Sequence, residues 1–160
     1  SCPPESKNKK AVAVNEIVTA FLLDNQELKQ IKGAFNMKQI STDKAPAAIG
    51  PYCQAMIHNG LVFTSGQIPL DPSTGKVDGD TVEQQAHRVL KNLSAVLEAA
   101  GSGMDKVLKT TCFLSDMGNF AAFNGVYAQY FTQNPARSCV AVRALPQGVL
   151  VEVECVAVVE

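Results

Sequence analysis

Tryptophan is absent from this 160-residue sequence, and charged residues make up only 18% of it. Fourteen Lys and Arg nearly balance fifteen Asp and Glu, so the formal net charge is −1. Proteins dedicated to nucleic acid normally carry a basic excess or stripe, so this balance argues against a nucleic-acid partner. No apolar run reaches the roughly 18 residues of a membrane span, so we expect no membrane association.

Motifs of the commonest catalytic classes are also missing. The chain has no G-x-S-x-G, no H-E-x-x-H, no P-loop and no G-x-G-x-x-G. It has only two histidines, of which His58 is predicted in a hairpin turn and His87 on a helix, both at the surface. A Ser-His-Asp triad or a metal mechanism therefore lacks candidate side chains, and we expect no metal.

Five cysteines are present, an odd number without a C-x-x-C pair: Cys2, Cys53, Cys112, Cys139 and Cys155. Their spacing matches neither a zinc site nor a disulfide framework. Cys112 and Cys155 lie in apolar runs, where cysteine usually behaves as a small hydrophobe. The simplest interpretation is a reducing compartment, and we expect the cytoplasm.

Two segments of different composition divide the chain. Residues 1–36 begin polar and continue with apolar residues at helical spacing, which predicts a mobile tail and a short amphipathic helix. This extension either packs on its own domain or a neighbouring subunit, or directs import into an organelle. Its acidic residues and lack of arginine disfavour import. Residues 37–160 are predicted to form one domain that buries its core without a disulfide bond or a structural metal.

Hydrophobic periodicity predicts five strands and two helices in the order β-β-α-β-α-β-β. Asn59-Gly60 predicts a tight hairpin between the first two strands. Asp80 or Thr81 is expected to cap the first helix, and Gly101 to end it. The predicted strands cover 52–57, 61–68, 106–115, 137–143 and 149–159; the helices cover 82–100 and 119–131, the second with Phe120, Phe123, Tyr127 and Phe131 as its core face.

The order of elements indicates an α+β fold. Two β-α-β crossovers within one sheet place both helices on the same face. The last predicted strand is apolar on both sides, with Val151 and Val153 on one and Val156 and Val158 on the other. Such a strand is buried on both sides, but one layer of helices covers only one. We therefore expect another subunit on the open face.

Three polar groups interrupt otherwise apolar strands. Arg137 carries a planar cation that suits a carboxylate ligand, although a paired or solvated arginine at a strand end fits equally well. Glu152 lies among valines, where a carboxylate is costly unless paired, so it is either a salt-bridge partner between subunits or a water-orienting acid. Ser65-Gly66 is either an irregular strand exit or a point of close approach for a ligand.

These residues fall within motifs that resemble one protein family. That family is the reactive-intermediate (imine/enamine) deaminases, earlier named the liver perchloric-acid-soluble protein or endoribonuclease L-PSP family. The resemblance covers residues 37–160. It is carried, in order, by APAAIGPY at 45–52, TSGQIP at 64–69, KTTCF at 109–113, PARSCV at 135–140 and VEVE at 151–154.

The resemblance implies a chorismate-mutase-like fold, a homotrimer with sites at its subunit interfaces, and no cofactor. It implies hydrolysis of 2-imino or 2-enamino acids, such as 2-aminoacrylate or 2-iminobutanoate, to 2-keto acids and ammonia. Carried over by position, Arg137 clamps the substrate carboxylate, Glu152 positions or activates water, and Tyr52 closes the pocket from the neighbouring subunit. The pocket is lined by Ser65, Gly66 and the backbone of Cys139.

Two other functions stay open at this point. One is a regulatory protein that binds a small carboxylate in the same pocket, and the other is an endoribonuclease or translation inhibitor. The presence of both Arg137 and Glu152 favours the enzyme, and residues 37–160 hold nine Lys and Arg against eleven Asp and Glu, which disfavours RNA. One departure from the family pattern is the short segment between Phe131 and Pro135, which bears on substrate range.

Overall fold

The structure is a computed structural model that describes residues 37–159, so the helix predicted within residues 1–36 lies outside the described residues. Six strands form one mixed sheet in the order β1-β2-β3-β6-β4-β5. No helix of the described part is long and apolar enough to cross a membrane. The elements are β1 (Lys38–Ile40), β2 (Ala55–His58), β3 (Leu61–Thr64), α1 (Val82–Ala99), β4 (Val107–Leu114), α2 (Phe120–Tyr130), β5 (Ala136–Ala141) and β6 (Val151–Val158).

The two predicted crossovers are confirmed. Strand β6 lies between β3 and β4 and is antiparallel to both, so α1 joins two parallel strands across it. Helix α2 then joins β4 to β5, which pair directly as parallel neighbours. Strand β5 is consequently one edge of the sheet, and β1 is the other. The α+β class is therefore correct for the described residues.

Differences from the predicted elements are local. Strand β1 was not predicted, because three residues are too short to show a period. His58 was predicted in the hairpin turn, which is wrong: it ends β2, and the turn is Asn59 and Gly60, with φ of 49° and 73°. Strand β3 ends at Thr64, before the predicted 68, and only an isolated bridge from Gln67 to Val153 continues the pairing.

Helix α1 begins and ends through the predicted local contacts. Thr81 is the N-cap: its Oγ1 accepts the Gln84 N–H at 3.4 Å, and Gln84 Oε1 accepts the Thr81 N–H at 3.3 Å. This reciprocal pair is a capping box. Gly101 adopts a φ of 78°, and the next N–H, from Ser102, donates to Leu97 O at 2.9 Å. The left-handed glycine thus closes the last turn.

The two faces of the sheet differ in what covers them. On β6, Val151, Val153, Cys155 and Ala157 are almost fully buried and join the core formed with α1 and α2. We call this side the helix face. The residues between them in sequence are half-buried and point to the opposite side, which we call the open face.

No helix of the described chain packs on the open face, and much of that face is left uncovered. Phe63 on β3 and Val140 on β5 remain 45% and 46% exposed there. Large apolar side chains left at this exposure on one face of a sheet are typical of an interaction surface. That a second subunit covers the face stays a prediction.

We expect Thr81→Ala to lower the free energy of unfolding by about 1 kcal/mol, because the Gln84 N–H loses its acceptor. Urea denaturation followed by circular dichroism measures this. Ser94→Ala, at the middle of the same helix, is the control and should shift stability by less than about 0.5 kcal/mol. Equal losses in both variants would contradict a specific contribution from the cap.

Candidate functional site

One cleft lies where the chain leaves the sheet after β3. Glu152 and Glu154, on the open face of β6, form one wall, and the loop before β2 forms the other through Tyr52. We call this the Glu152 cleft. Four predicted site residues meet in it within one chain. It is lined by Ile49, Tyr52, Thr64, Ser65, Gly66, Ile68, Pro146, Glu152 and Glu154.

The Glu152 side chain packs directly on Gly66. A Cβ atom added to Gly66 would lie 2.8 Å from Cδ of Glu152 and would overlap its Oε1. Real Cβ atoms do not approach other heavy atoms this closely, so any other residue at position 66 would displace the carboxylate. The group that approaches Gly66 in this chain is therefore Glu152, and the glycine sets where the carboxylate lies.

The electrostatic environment of Glu152 lacks a compensating cation. Within residues 37–159 its carboxylate makes no ion pair and no hydrogen bond. Burial raises the pKa of Glu152, and the charge of Glu154 on the same face raises it further. A carboxyl group with a raised pKa exchanges protons closer to neutral pH than an ordinary glutamate does, which suits a general acid or base.

Arg137 is held by helix α2. Its Nη1 donates to Asn124 Oδ1 at 2.8 Å, and its Cζ lies 4.6 Å from the ring centre of Tyr127 and 5.5 Å from that of Phe120. The Tyr127 hydroxyl is in turn 2.8 Å from Thr110 Oγ1. Only one guanidinium N–H is bonded within the described chain, so the rest of the planar fork can take a carboxylate.

Arg137 lies in a second cleft, which we call the Arg137 cleft. Arg137 pairs with Thr110, which is fully buried on the helix face, whereas Glu152 alternates onto the open face. The two residues therefore lie on opposite faces of the sheet, and one chain does not bring them together. The lining of the Arg137 cleft is Asn124, Tyr127, Ala128, Phe131, Asn134, Pro135 and Arg137.

Cys139 follows Arg137 on the same face of β5 and is half-buried. Burial raises the pKa of its thiol, and the Arg137 charge lowers it in part. In register beside it, Cys112 is fully buried, and burial raises its pKa to about 12. Both thiols stay protonated at neutral pH, so neither is an activated nucleophile. No three His, Cys, Asp or Glu side chains in residues 37–159 could hold a metal ion.

Ser65 fixes the chain that follows Tyr52. Its hydroxyl donates to Cys53 O at 2.6 Å, and its N–H donates to Gln54 O at 2.9 Å. Tyr52 itself is 53% exposed at the mouth of the Glu152 cleft. Tyr52 therefore shares a cleft with Glu152 of its own chain and lies apart from Arg137. That Tyr52 closes the pocket of a neighbouring subunit stays a prediction.

The contacts that hold Arg137 were not predicted. Periodicity assigned Phe120 and Tyr127 to the core, where they do pack, but it did not indicate that their rings flank a cation. Asn124 occupies the same helical face, because positions 120, 124 and 127 are separated by four and three residues. A polar Asn124 within an apolar stripe was the available signal, and Arg137 is its partner.

Comparison with known proteins gives consistent matches. The family model described as Endoribonuclease L-PSP matches residues 42–159. A RutC family protein from Synechocystis is 57% identical over 125 residues, covering 76% of this chain and 96% of the relative. A protein from Salmonella typhimurium named 2-iminobutanoate/2-iminopropanoate deaminase is 48% identical, covering 76% of this chain and 97% of the relative.

A solved structure is also similar. The crystal structure of Escherichia coli TdcF with bound serine aligns with a TM-score of 0.73 at 44% identity, covering 77% of this chain and 99% of that chain. Both the fold and the sequence of residues 37–159 thus match the same group of proteins.

We expect Glu152→Gln to stabilise the protein at neutral pH. The pKa of Glu152 is higher in the folded than in the unfolded state, so ionisation costs folding free energy. Below the unfolded-state pKa, Glu152 is protonated in both the folded and the unfolded state, and the variant and the wild type should be equally stable. As pH rises through the folded-state pKa, the wild type loses stability relative to the variant.

Chemical denaturation between about pH 4 and pH 8 tests this difference. Glu83→Gln, in the exposed first turn of α1, is the control. It removes a carboxylate that favours the helix N-terminus and should give no gain. A Glu152→Gln curve parallel to that of the wild type over the whole range would refute the cost of ionising Glu152.

Proposed function

Because this chain belongs to the endoribonuclease L-PSP family, we propose that it hydrolyses 2-imino acids and their 2-enamino tautomers to 2-keto acids and ammonia. The observation that carries this proposal is the pair of complementary groups described above. Arg137 is a fixed cation with a free planar fork, and Glu152 is a half-buried carboxyl with a raised pKa. A substrate with a carboxylate beside a C=N carbon requires those two groups.

Arg137 binds the substrate carboxylate. Its contacts with Asn124 and the ring of Tyr127 hold the guanidinium before any ligand arrives, so little side-chain freedom is lost on binding. The relative crystallised with serine supports an amino-acid-like ligand for this fold. The bound carboxylate thereby fixes the position of the C=N carbon relative to the attacking water.

Glu152 handles the proton. As a water oxygen bonds to the carbon of the protonated imine, the Glu152 carboxylate takes a proton from that water, and the resulting carbinolamine carries both –OH and –NH₂ on one carbon. The Glu152 carboxyl then returns this proton to nitrogen, and the regenerated carboxylate takes the hydroxyl proton as the C=O bond forms, the C–N bond breaks and ammonia leaves; that last proton passes to ammonia or solvent. A protonated imine is already electrophilic, so orientation and one proton carrier supply the catalysis, and no cofactor or metal takes part.

The site needs two subunits. Since Arg137 and Glu152 lie on opposite faces of one sheet, we infer that the Arg137 cleft of one subunit meets the Glu152 cleft of the next. Tyr52, Ser65 and Gly66 then come with Glu152, while the Cys139 backbone comes with Arg137. Contacts of this head-to-tail kind close into a ring, and a homotrimer with three equivalent sites satisfies this geometry. It also covers the open face.

The function is tested in a coupled assay in which a threonine dehydratase supplies 2-iminobutanoate and the formation of 2-ketobutyrate is followed. The protein should accelerate keto acid release. Arg137→Ala should lower kcat/KM about 10- to 150-fold, which is the range for one charged hydrogen-bond pair. Arg143→Ala, an exposed arginine just beyond β5, is the matched control and should leave the rate unchanged. An Arg137→Ala variant as fast as the wild type would exclude the proposed clamp.

Mixing inactive variants tests the two-subunit site. Arg137→Ala and Glu152→Gln should each retain no more than about a tenth of the wild-type rate when alone. When equal amounts are co-refolded, about one site in four pairs an intact Arg137 with an intact Glu152, so about a quarter of the wild-type rate should return. If the mixture stays as inactive as its components, both residues act within one chain and the arrangement proposed here is wrong.

A further inference from the structure

The loop that carries Tyr52 has few contacts of its own. Residues 41–54 contain no helix or strand, and Ile49 and Tyr52 are 78% and 53% exposed. Within residues 37–159, no hydrogen bond joins 47–52 to another segment. The bonds inside it are Tyr52 N–H to Gly50 O at 2.8 Å and Ile49 N–H to Tyr52 Oη at 3.5 Å. The position of this stretch therefore depends on what holds its two ends.

The first end is held by one buried side chain. Gln54 is only 3% exposed. Its Oε1 accepts the Thr42 N–H at 2.6 Å, and its Nε2 donates to the carbonyl oxygens of Thr42, Ala45 and Pro46 at 3.0, 3.2 and 2.7 Å. A single amide thus contacts four backbone groups of the 42–46 turn, its two N–H bonds being shared among three carbonyl oxygens. This turn leads directly into the exposed stretch.

The second end is held at the same place. The backbone of Gln54 accepts the Ser65 N–H at 2.9 Å, and the Ser65 hydroxyl binds Cys53 O. Residues 53 and 54 are therefore fixed to the exit of β3, beside Gly66 and Glu152. The Gln54 side chain connects that fixed point to the start of the loop. Both ends of 47–52 are therefore anchored to the exit of β3, next to the Glu152 cleft.

We propose that Gln54 is a positioning residue that sets the place of Tyr52 at the mouth of the Glu152 cleft. The inference rests on the proposed function, in which Tyr52 joins the substrate pocket together with Glu152. An apolar side chain at position 54 leaves four backbone groups without partners, and the 42–46 turn then loses its fixed geometry. Tyr52 samples more positions as a result. The value of kcat/KM then falls because Tyr52 is misplaced, and not because the core is destabilised.

A tryptophan reporter measures the position of the loop without any assay of activity. The sequence has no tryptophan, so Tyr52→Trp introduces a single fluorophore. Adding Gln54→Met, which keeps the length of the side chain and removes its amide, should increase acrylamide quenching about twofold as the loop loosens. Unchanged quenching would overturn the proposal, whether or not the protein is an imine deaminase.

A double-mutant cycle measures whether Gln54 acts through Tyr52. In the wild-type background, Gln54→Met should lower kcat/KM for imine hydrolysis about 10- to 100-fold, as expected for a misplaced group. In a Tyr52→Ala background the same substitution should cost almost nothing, because the group that it positions is already gone. Equal losses in the two backgrounds would show that Gln54 supports the fold alone and would overturn the proposal.

Controls separate positioning from general destabilisation. Val96→Ala removes buried core volume in α1, away from the loop, and should lower Tm without changing quenching or kcat/KM. If Val96→Ala raises quenching as much as Gln54→Met does, the proposal fails. Should Gln54→Met not fold, Gln54→Asn keeps the amide but shortens its reach, and the same two measurements apply to it.

Discussion

The alternation of side chains along β6 is the constraint on which the rest of the structure depends. Val151, Val153, Cys155 and Ala157 point into the core with α1 and α2, so Glu152 and Glu154 must point the other way. A register shift of one residue would bury both carboxylates under the helices and expose the valines. The hydrophobic core thus fixes where the carboxylate of the Glu152 cleft lies, and the sheet keeps it on the face opposite Arg137.

Periodicity in the sequence was sufficient to predict the class of fold. The Asn59-Gly60 hairpin, the Thr81 cap and the Gly101 stop are local signals, and each has the predicted role in the structure. Short or irregular parts were beyond such reasoning. Strand β1 has only three residues, and the irregular exit of β3 after Thr64 packs at Gly66 against Glu152, which is far away in sequence.

The candidate site was predictable as residues but not as an arrangement. Tyr52, the Ser65-Gly66 pair and Glu152 belong to three separate sequence motifs, and the structure brings them into one cleft. That Arg137 lies apart from them follows from its pairing with Thr110, which places it on the helix face. No single-sequence pattern fixes the register between β4 and β5, so the face on which Arg137 lies could not be derived from periodicity, and the polar Asn124 in the apolar stripe of α2 was only a signal that some partner faces it.

The separation of Arg137 from Glu152 also accounts for the raised pKa of that carboxyl group. Within one chain the sheet keeps the cation on the far face, where Asn124 and two aromatic rings contact it, so it does not lower the pKa of Glu152. In the proposed two-subunit site, the substrate carboxylate lies between the two groups and neutralises the guanidinium that faces it. In that proposed site Glu152 keeps its capacity to take up a proton, while the planar guanidinium of Arg137 is the group that holds the substrate carboxylate. The sheet therefore separates the two groups within one chain, and the proposed assembly is what would bring them to the same substrate.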